Sequence, residues 1–192
     1  MRLLFFAGST RKESYNKKLA RLAHDIATTN GIEAVLVDLM DYPMPIYNGD
    51  EEAEKGPPER ARAFAALLQE YDGIFIASPE YNSSVTPLLK NTLDWVSRVK
   101  GDSFSGIEVF KTRVFAISGA SPGYYGTMRS LINLRQILTL GLGATVVPEQ
   151  LALPRAMNAF EDDGSLKDEG QQMLLTKVVE ALAIAAKRFV VP

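Results

Sequence analysis

The stretch RLLFFAGSTRKESYN, residues 2–16, sets an unbroken apolar run against a turn of small, hydroxylated and basic residues. An apolar run without polar alternation suits a strand buried on both faces. Four more runs share its character: EAVLVD (33–38), GIFIAS (73–78), RVFAIS (113–118) and ATVV (144–147). Helical periodicity lies between them, over Ser14 to about Thr29, Pro58 to about Glu70, Pro87 to about Val99 and Met128 to about Leu140. A fifth helical pattern runs from about Asp168 to Arg188. Each parallel crossover is most readily made by a helix, so this alternation predicts an α/β fold with a five-stranded parallel sheet between two helical layers. The length of 192 residues predicts a single domain over 1–192.

Composition narrows the chemistry. The chain has no cysteine and one histidine, His24. Thiolate catalysis, disulfides, iron–sulfur clusters and cysteine-ligated zinc are thereby removed, and no metal site is expected. His24 falls with Lys17, Lys18 and Arg21, opposite a stripe of Tyr15, Leu19, Leu22, Ala23 and Ile26, and reads as a solvated surface residue. Lys and Arg number 21 against 23 Asp and Glu. That balance offers no basic face to nucleic acid or an anionic membrane, and a small-molecule partner is expected. No apolar run approaches the roughly 18 residues of a membrane span, and the N-terminal run is too short for a signal peptide, so a cytoplasmic location is expected. Acids recur in NAFEDDGSLKDEG (158–170) without the ordered spacing of a calcium loop. Catalysis is expected to belong to a bound cofactor.

In a doubly wound sheet, ligands bind beyond the carboxyl ends of the strands where the winding reverses, and the loop after the first strand borders that crevice. Residues 8–16 occupy this place. The dinucleotide pattern G-x-G-x-x-G is absent; only Gly8 is present. What the turn offers is donors: the Ser9, Thr10 and Ser14 hydroxyls, the Asn16 amide, the Arg11 guanidinium and the free N–H groups of a helix start. Such a set suits a terminal phosphate monoester; taken alone it also fits an ordinary polar turn with Ser14 as N-cap. The third strand exits into PEYNSS (79–84), before a helix with Thr86 as cap and Pro87 at its first position. Tyr81 and Asn82 there could grip a planar heterocycle, or Tyr81 could pack on the neighbouring helix. The fourth strand exits into SGASPGYYGTM (118–128), where small residues let a ligand approach the backbone.

Together GSTRKESYN, PEYN and SGASPG resemble the NADPH-dependent FMN reductase family of the flavodoxin-like fold, over residues 1 to about 150. The resemblance implies sheet order 2-1-3-4-5, FMN as cofactor and NADPH or NADH as co-substrate. It implies that Ser9, Arg11, Ser14 and Asn16, with Tyr15 among the contacts, hold the FMN phosphate. Pro79, Glu80, Tyr81 and Asn82 would border the isoalloxazine ring, and Ser118 with Gly119 would form the third contact. No side chain would be catalytic. The acceptor would be a quinone, chromate, an azo compound or free flavin. Many relatives continue S-P-G-x-x-G-G, whereas this chain has Tyr124, Tyr125 and then Thr127 for the second glycine. Two rivals remain: a flavodoxin-like electron carrier, disfavoured by a charge of only −2, and a flavin-free module holding another phosphate.

Leu88, Leu89, Thr92, Leu93, Trp95, Val96 and Val99 cover a helical arc of roughly 160°, wider than the roughly 100° needed to sit on one sheet. The excess calls for a second subunit or another part of the chain as cover. The resemblance implies a homodimer through this helix, and in some members a homotetramer in which Glu80 takes part. The Pro-, Gly- and acid-rich segment 39–58 reads as a long surface loop, either functional or a variable connection.

Overall fold

The computed structural model describes residues 1–101 and 104–189. Strand β1 (Arg2–Ala7) lies between β2 (Glu33–Val37) and β3 (Gly73–Ala77); β4 (Val114–Ala120) follows β3. All pairings are parallel and the order is β2-β1-β3-β4-β5, as expected. The fifth position departs from expectation, because two short strands share it. β5 (Thr145–Val146) pairs with Val114 and Phe115, while β6 (Ala152–Leu153) pairs with Gly119 and Ala120. Pro148, which has no N–H to donate, lies in the interruption. The guanidinium of Arg135 spans it, donating to the Val147 carbonyl at 3.0 Å and to Gln150 Oε1 at 3.0 Å. Burial lowers the pKa of Arg135, and Glu149 opposes that shift.

Helices cover both faces. On one side α1 (Tyr15–Thr29) and α7 (Glu169–Arg188) bury Leu3, Phe5, Phe75 and Ala116. On the other, α3 (Glu59–Gln69), α4 (Pro87–Arg98) and α6 (Met128–Gln136) bury Leu4, Phe6, Ile74, Ile76 and Ile117. Neighbouring residues of one strand thus feed two separate cores, which is why the strand sequences show no polar alternation. The buried face of α1 is Asn16, Leu19, Ala20, Ala23 and Ala27. Tyr15, Leu22 and Ile26, expected on that face, lie at its margins, because alanines allow the helix to approach the sheet closely. His24 is not simply solvated: its side chain is 20% exposed, its ring meets Phe5 edge-on at 5.9 Å, and Nδ1 lies 2.8 Å from Asp25 Oδ1.

Two seven-residue helices were not legible in the sequence, α2 (Gly49–Lys55) within the presumed loop and α5 (Gly106–Thr112) before β4. The second of them accounts for part of the wide apolar arc of α4. α5 packs against α4 so closely that a Cβ on Gly106 would lie 1.7 Å from the Val96 carbonyl oxygen. The segment 42–47 covers the remainder: Trp95 Nε1 and Asn91 Nδ2 both donate to the Pro45 carbonyl at 2.8 Å, and Tyr47 meets the indole edge-on at 5.0 Å. Leu89, Leu93, Trp95 and Val96 are consequently buried within the chain itself. The arc therefore needs no second subunit to cover it.

Candidate active site

The ends of β1, β3 and β4 lie side by side, with Ala7 opposite Ala77 and Ala77 opposite Ser118. Their exits begin as one hydrogen-bonded row. The Gly8 N–H donates to the Ala77 carbonyl at 2.9 Å, the Ser78 N–H to Ser118 at 2.8 Å, and the Gly119 N–H to Leu151 at 2.8 Å. Thr86, the buried N-cap of α4, sends its hydroxyl to the Gly8 carbonyl at 2.8 Å while Oγ1 accepts from the Leu89 N–H at 3.2 Å. One side chain thus joins the first exit to the helix that follows the third. The geometry places the polar turns together at the carboxyl edge of the sheet, where open α/β folds take ligands.

Within the first exit the expected residues divide by role. Arg11 is exposed, and its one hydrogen bond among the described residues runs from its backbone N–H to Ser9 Oγ at 3.3 Å, so the guanidinium is free for an anion. Ser14 caps α1: its Oγ accepts from the Asn16 N–H at 3.3 Å. The Tyr15 and Lys17 N–H groups have no acceptor within the helix, as first-turn geometry requires. Asn16 is buried and turned elsewhere: Nδ2 donates to the Ala120 carbonyl at 2.8 Å and Oδ1 accepts from the Ala120 N–H at 2.9 Å. It pins the first exit to the fourth rather than presenting its amide to the crevice. Lys17, absent from the expected set, bonds Asp38 at 2.5 Å and the Thr10 carbonyl at 3.4 Å, tying the turn to the exit of β2.

In the third exit Tyr81 and Ser84 exchange both backbone hydrogen bonds at 3.0 Å. Asn82 and Ser83 between them have φ of 51° and 67°, a type I′ turn made without glycine. Such left-handed residues are uncommon and concentrate where a side chain must be aimed. Tyr81 is 52% exposed at this tip, and Asn82 is exposed beside it, so the tyrosine is not consumed by packing. Pro79 is buried. Glu80 is not a rim residue either: its carboxylate, 6% exposed, pairs with Arg129 and accepts from the Ser130 N–H at 3.1 Å. It caps the first turn of α6 from 50 residues away. The resemblance suggested an intersubunit role for this glutamate; both partners that hold it are in its own chain.

In the fourth exit Ser118 and Gly119 are buried in the sheet edge. Ser118 Oγ accepts from the Leu151 N–H at 3.1 Å, and a Cβ on Gly119 would meet the Ser78 carbonyl oxygen at 2.3 Å and Thr127 Oγ1 at 2.2 Å. The surface of this exit is instead the segment 121–125. Tyr124 and Tyr125 are exposed and meet edge-on at 5.3 Å, with Arg155 over Tyr124 at 5.6 Å and Arg129 over Tyr125 at 5.5 Å. These four residues form a rim that the sequence did not announce, because the arginines come from separate segments. Thr127, standing where many relatives carry glycine, is fully buried and its hydroxyl has no partner among the described residues. Among the described residues no group of three His, Cys, Asp or Glu side chains lies together to hold a metal, and no helix is long and apolar enough to cross a membrane.

Residues 1–158 match the family NADPH-dependent FMN reductase. An NAD(P)H-dependent FMN reductase of Pseudomonas aeruginosa is 32% identical over 188 residues, covering 98% of this chain and 96% of the relative. An NAD(P)H:quinone oxidoreductase of Solanum tuberosum is 37% identical over 185 residues, covering 94% and 90%. Among solved structures, a flavoenzyme NAD(P)H:(acceptor) oxidoreductase from Paracoccus denitrificans superposes with a TM-score of 0.81 at 26% identity, covering 98% of both chains.

Proposed function

The chain belongs to the NADPH-dependent FMN reductase family, and on that premise we propose that the exits of β1, β3 and β4 hold FMN, with its phosphate in the first and its ring between the other two. The protein is an FMN-dependent NAD(P)H oxidoreductase. The observation that carries the site assignment is the unpaired Arg11 beside the open first turn of α1, in a row of three exits aligned by backbone hydrogen bonds. FMN, when bound, supplies the hydride acceptance and electron transfer that no side chain of these loops offers.

The chain's own residues bind and position. Arg11, the Ser9 and Thr10 hydroxyls and the α1 N–H groups form a compact donor set matched to a dianion. Tyr81 offers an aromatic wall on a turn that fixes its direction. Glu80 holds the start of α6, and with it the Tyr124–Tyr125 rim, at a set distance from the third exit. Asn16 and Thr86 keep the three exits in register. Titration with flavins tests the assignment, with the outcomes stated in the Discussion.

A quinone is the acceptor best supported, since relatives covering most of the chain are quinone reductases and the rim is aromatic. Residues 1–192 act as one unit on this reading, because α1 and α7 from the two ends of the chain pack on one sheet face. A homodimer finds support not in α4 but in the exposed Met128, Ile132 and Leu140, spaced by multiples of four along α6 and its π-helical continuation Ile137–Gly141. A cytoplasmic location suits a reaction fed by NAD(P)H.

A further inference from the structure

We propose that the groove between Tyr124 and the start of α7 is a subsite for the 2′-phosphate of NADPH, adjoining the FMN cleft and sharing Tyr124 and Arg155 with its rim. This rests on the reading of the chain as an NAD(P)H oxidoreductase. The groove measures about 660 Å3 and is lined by Tyr124, Arg155, Asn158, Lys167, Asp168 and Gln171 among others. That volume lies within the roughly 300–1,000 Å3 of small-molecule sites.

Its charge points to an anion. Arg155 and Lys167 are exposed, and among the described residues neither side chain has a carboxylate within 4.0 Å. The one lining acid, Asp168, is the N-cap of the 20-residue α7, its Oδ1 accepting from the Gln171 N–H at 2.8 Å, and its single negative charge leaves the two cations of the lining in excess. The cation of Arg155 rests over the Tyr124 ring at 5.6 Å, which orders the guanidinium without neutralising it. A phosphate monoester carrying about 1.5 to 2 negative charges at neutral pH would supply the missing partner.

The backbone is built to hold Arg155 there. It adopts φ 48°, ψ 39°, a left-handed conformation that a residue other than glycine seldom takes without compensation. Three hydrogen bonds lock it to the fourth exit: Ser121 N–H to the Leu153 carbonyl at 3.0 Å, Arg155 N–H to Gly123 at 3.1 Å and Ala156 N–H to Ser121 at 3.0 Å. The cationic groove therefore moves as one piece with the aromatic rim of the cleft. A dinucleotide whose nicotinamide end enters the cleft would pass Tyr124 and place its adenosine end in the groove. NADH, with a hydroxyl where NADPH has the phosphate, would leave both cations unpaired, and this difference is the basis for discrimination.

Calorimetric titration of the full chain with adenosine 2′,5′-bisphosphate and with adenosine 5′-phosphate tests the proposal independently of turnover. The bisphosphate is expected to bind at least about fivefold more tightly. Arg155→Asn, which tolerates the left-handed backbone, and Lys167→Gln, which leaves it untouched, should each weaken the bisphosphate about five- to tenfold and raise KM for NADPH relative to NADH. Equal affinity of the two nucleotides for the wild type, or unaltered bisphosphate affinity in both folded variants, overturns it. A chain that takes up no FMN and oxidises neither coenzyme would instead refute the oxidoreductase reading, while the titration would still decide for or against the phosphate groove.

Discussion

The side chain of Asn16 brackets the peptide of Ala120, donating to its carbonyl at 2.8 Å and accepting from its N–H at 2.9 Å, with both residues buried. This two-point clasp fixes the start of α1 against the end of β4. Asn16→Ala would leave a buried N–H and a buried carbonyl unpaired, a cost on the order of 2–4 kcal/mol. A fall in Tm of roughly 5–15 °C is expected by calorimetry. A variant that melts like the wild type and loses only FMN affinity would instead make Asn16 a direct phosphate ligand.

Glu80 acts within its own chain by capping α6 and pairing with Arg129. Glu80→Ala should cost about 1–3 kcal/mol by stranding a buried N–H and a cation, and Glu80→Gln, which keeps an acceptor, should cost less. Thermal denaturation at two protein concentrations checks this. The loss should be the same at both; a loss that vanishes on dilution would return Glu80 to a subunit interface.

The buried hydroxyl of Thr127 has no hydrogen-bond partner among the described residues. Thr127→Val keeps the shape and removes the unpaired group, so it should stabilise the protein by about 1 kcal/mol, or roughly 2–4 °C in Tm. A lower Tm would show that the hydroxyl is satisfied in solution.

Tyr81 stands at the tip of its turn, 52% exposed. Tyr81→Ala is expected to shift the absorption bands of bound flavin while changing stability by no more than about 0.5 kcal/mol. An unchanged spectrum with a clear drop in Tm would make it a packing residue.

The sheet was legible because its central strands β1, β3 and β4 are buried on both faces: Phe5 and Phe6 enter opposite cores, and nothing polar interrupts them. Thr86 and Pro87 marked the start of α4 for an equally local reason. What escaped was non-local or short. α2 buries no residue, so its acidic sequence carries no periodic signal. α5 begins at Gly106, ordinarily a breaker, because only glycine clears the Val96 carbonyl. The α4 arc is as wide as its sequence indicates, but its cover comes from α5 and the segment 42–47, neither of which carries a periodic signal. At the site, the donor types of residues 8–16 were plain, yet the sequence could not tell Arg11, which stays free, from Asn16, whose partner lies 104 residues away. The burial of Ser118 and Gly119 likewise depends on Leu151 and Thr127.

The assignment of the first exit to a phosphate is tested most directly by fluorescence titration of the purified, flavin-free protein with FMN and with riboflavin, in the wild type and in Arg11→Ala. FMN should bind the wild type at least about tenfold more tightly than riboflavin, and the substitution should weaken FMN about 10- to 100-fold. Riboflavin affinity and Tm should change little, since Arg11 is exposed and supports no packing. Equal affinity of the wild type for the two flavins, or FMN affinity indifferent to Arg11, would contradict the account.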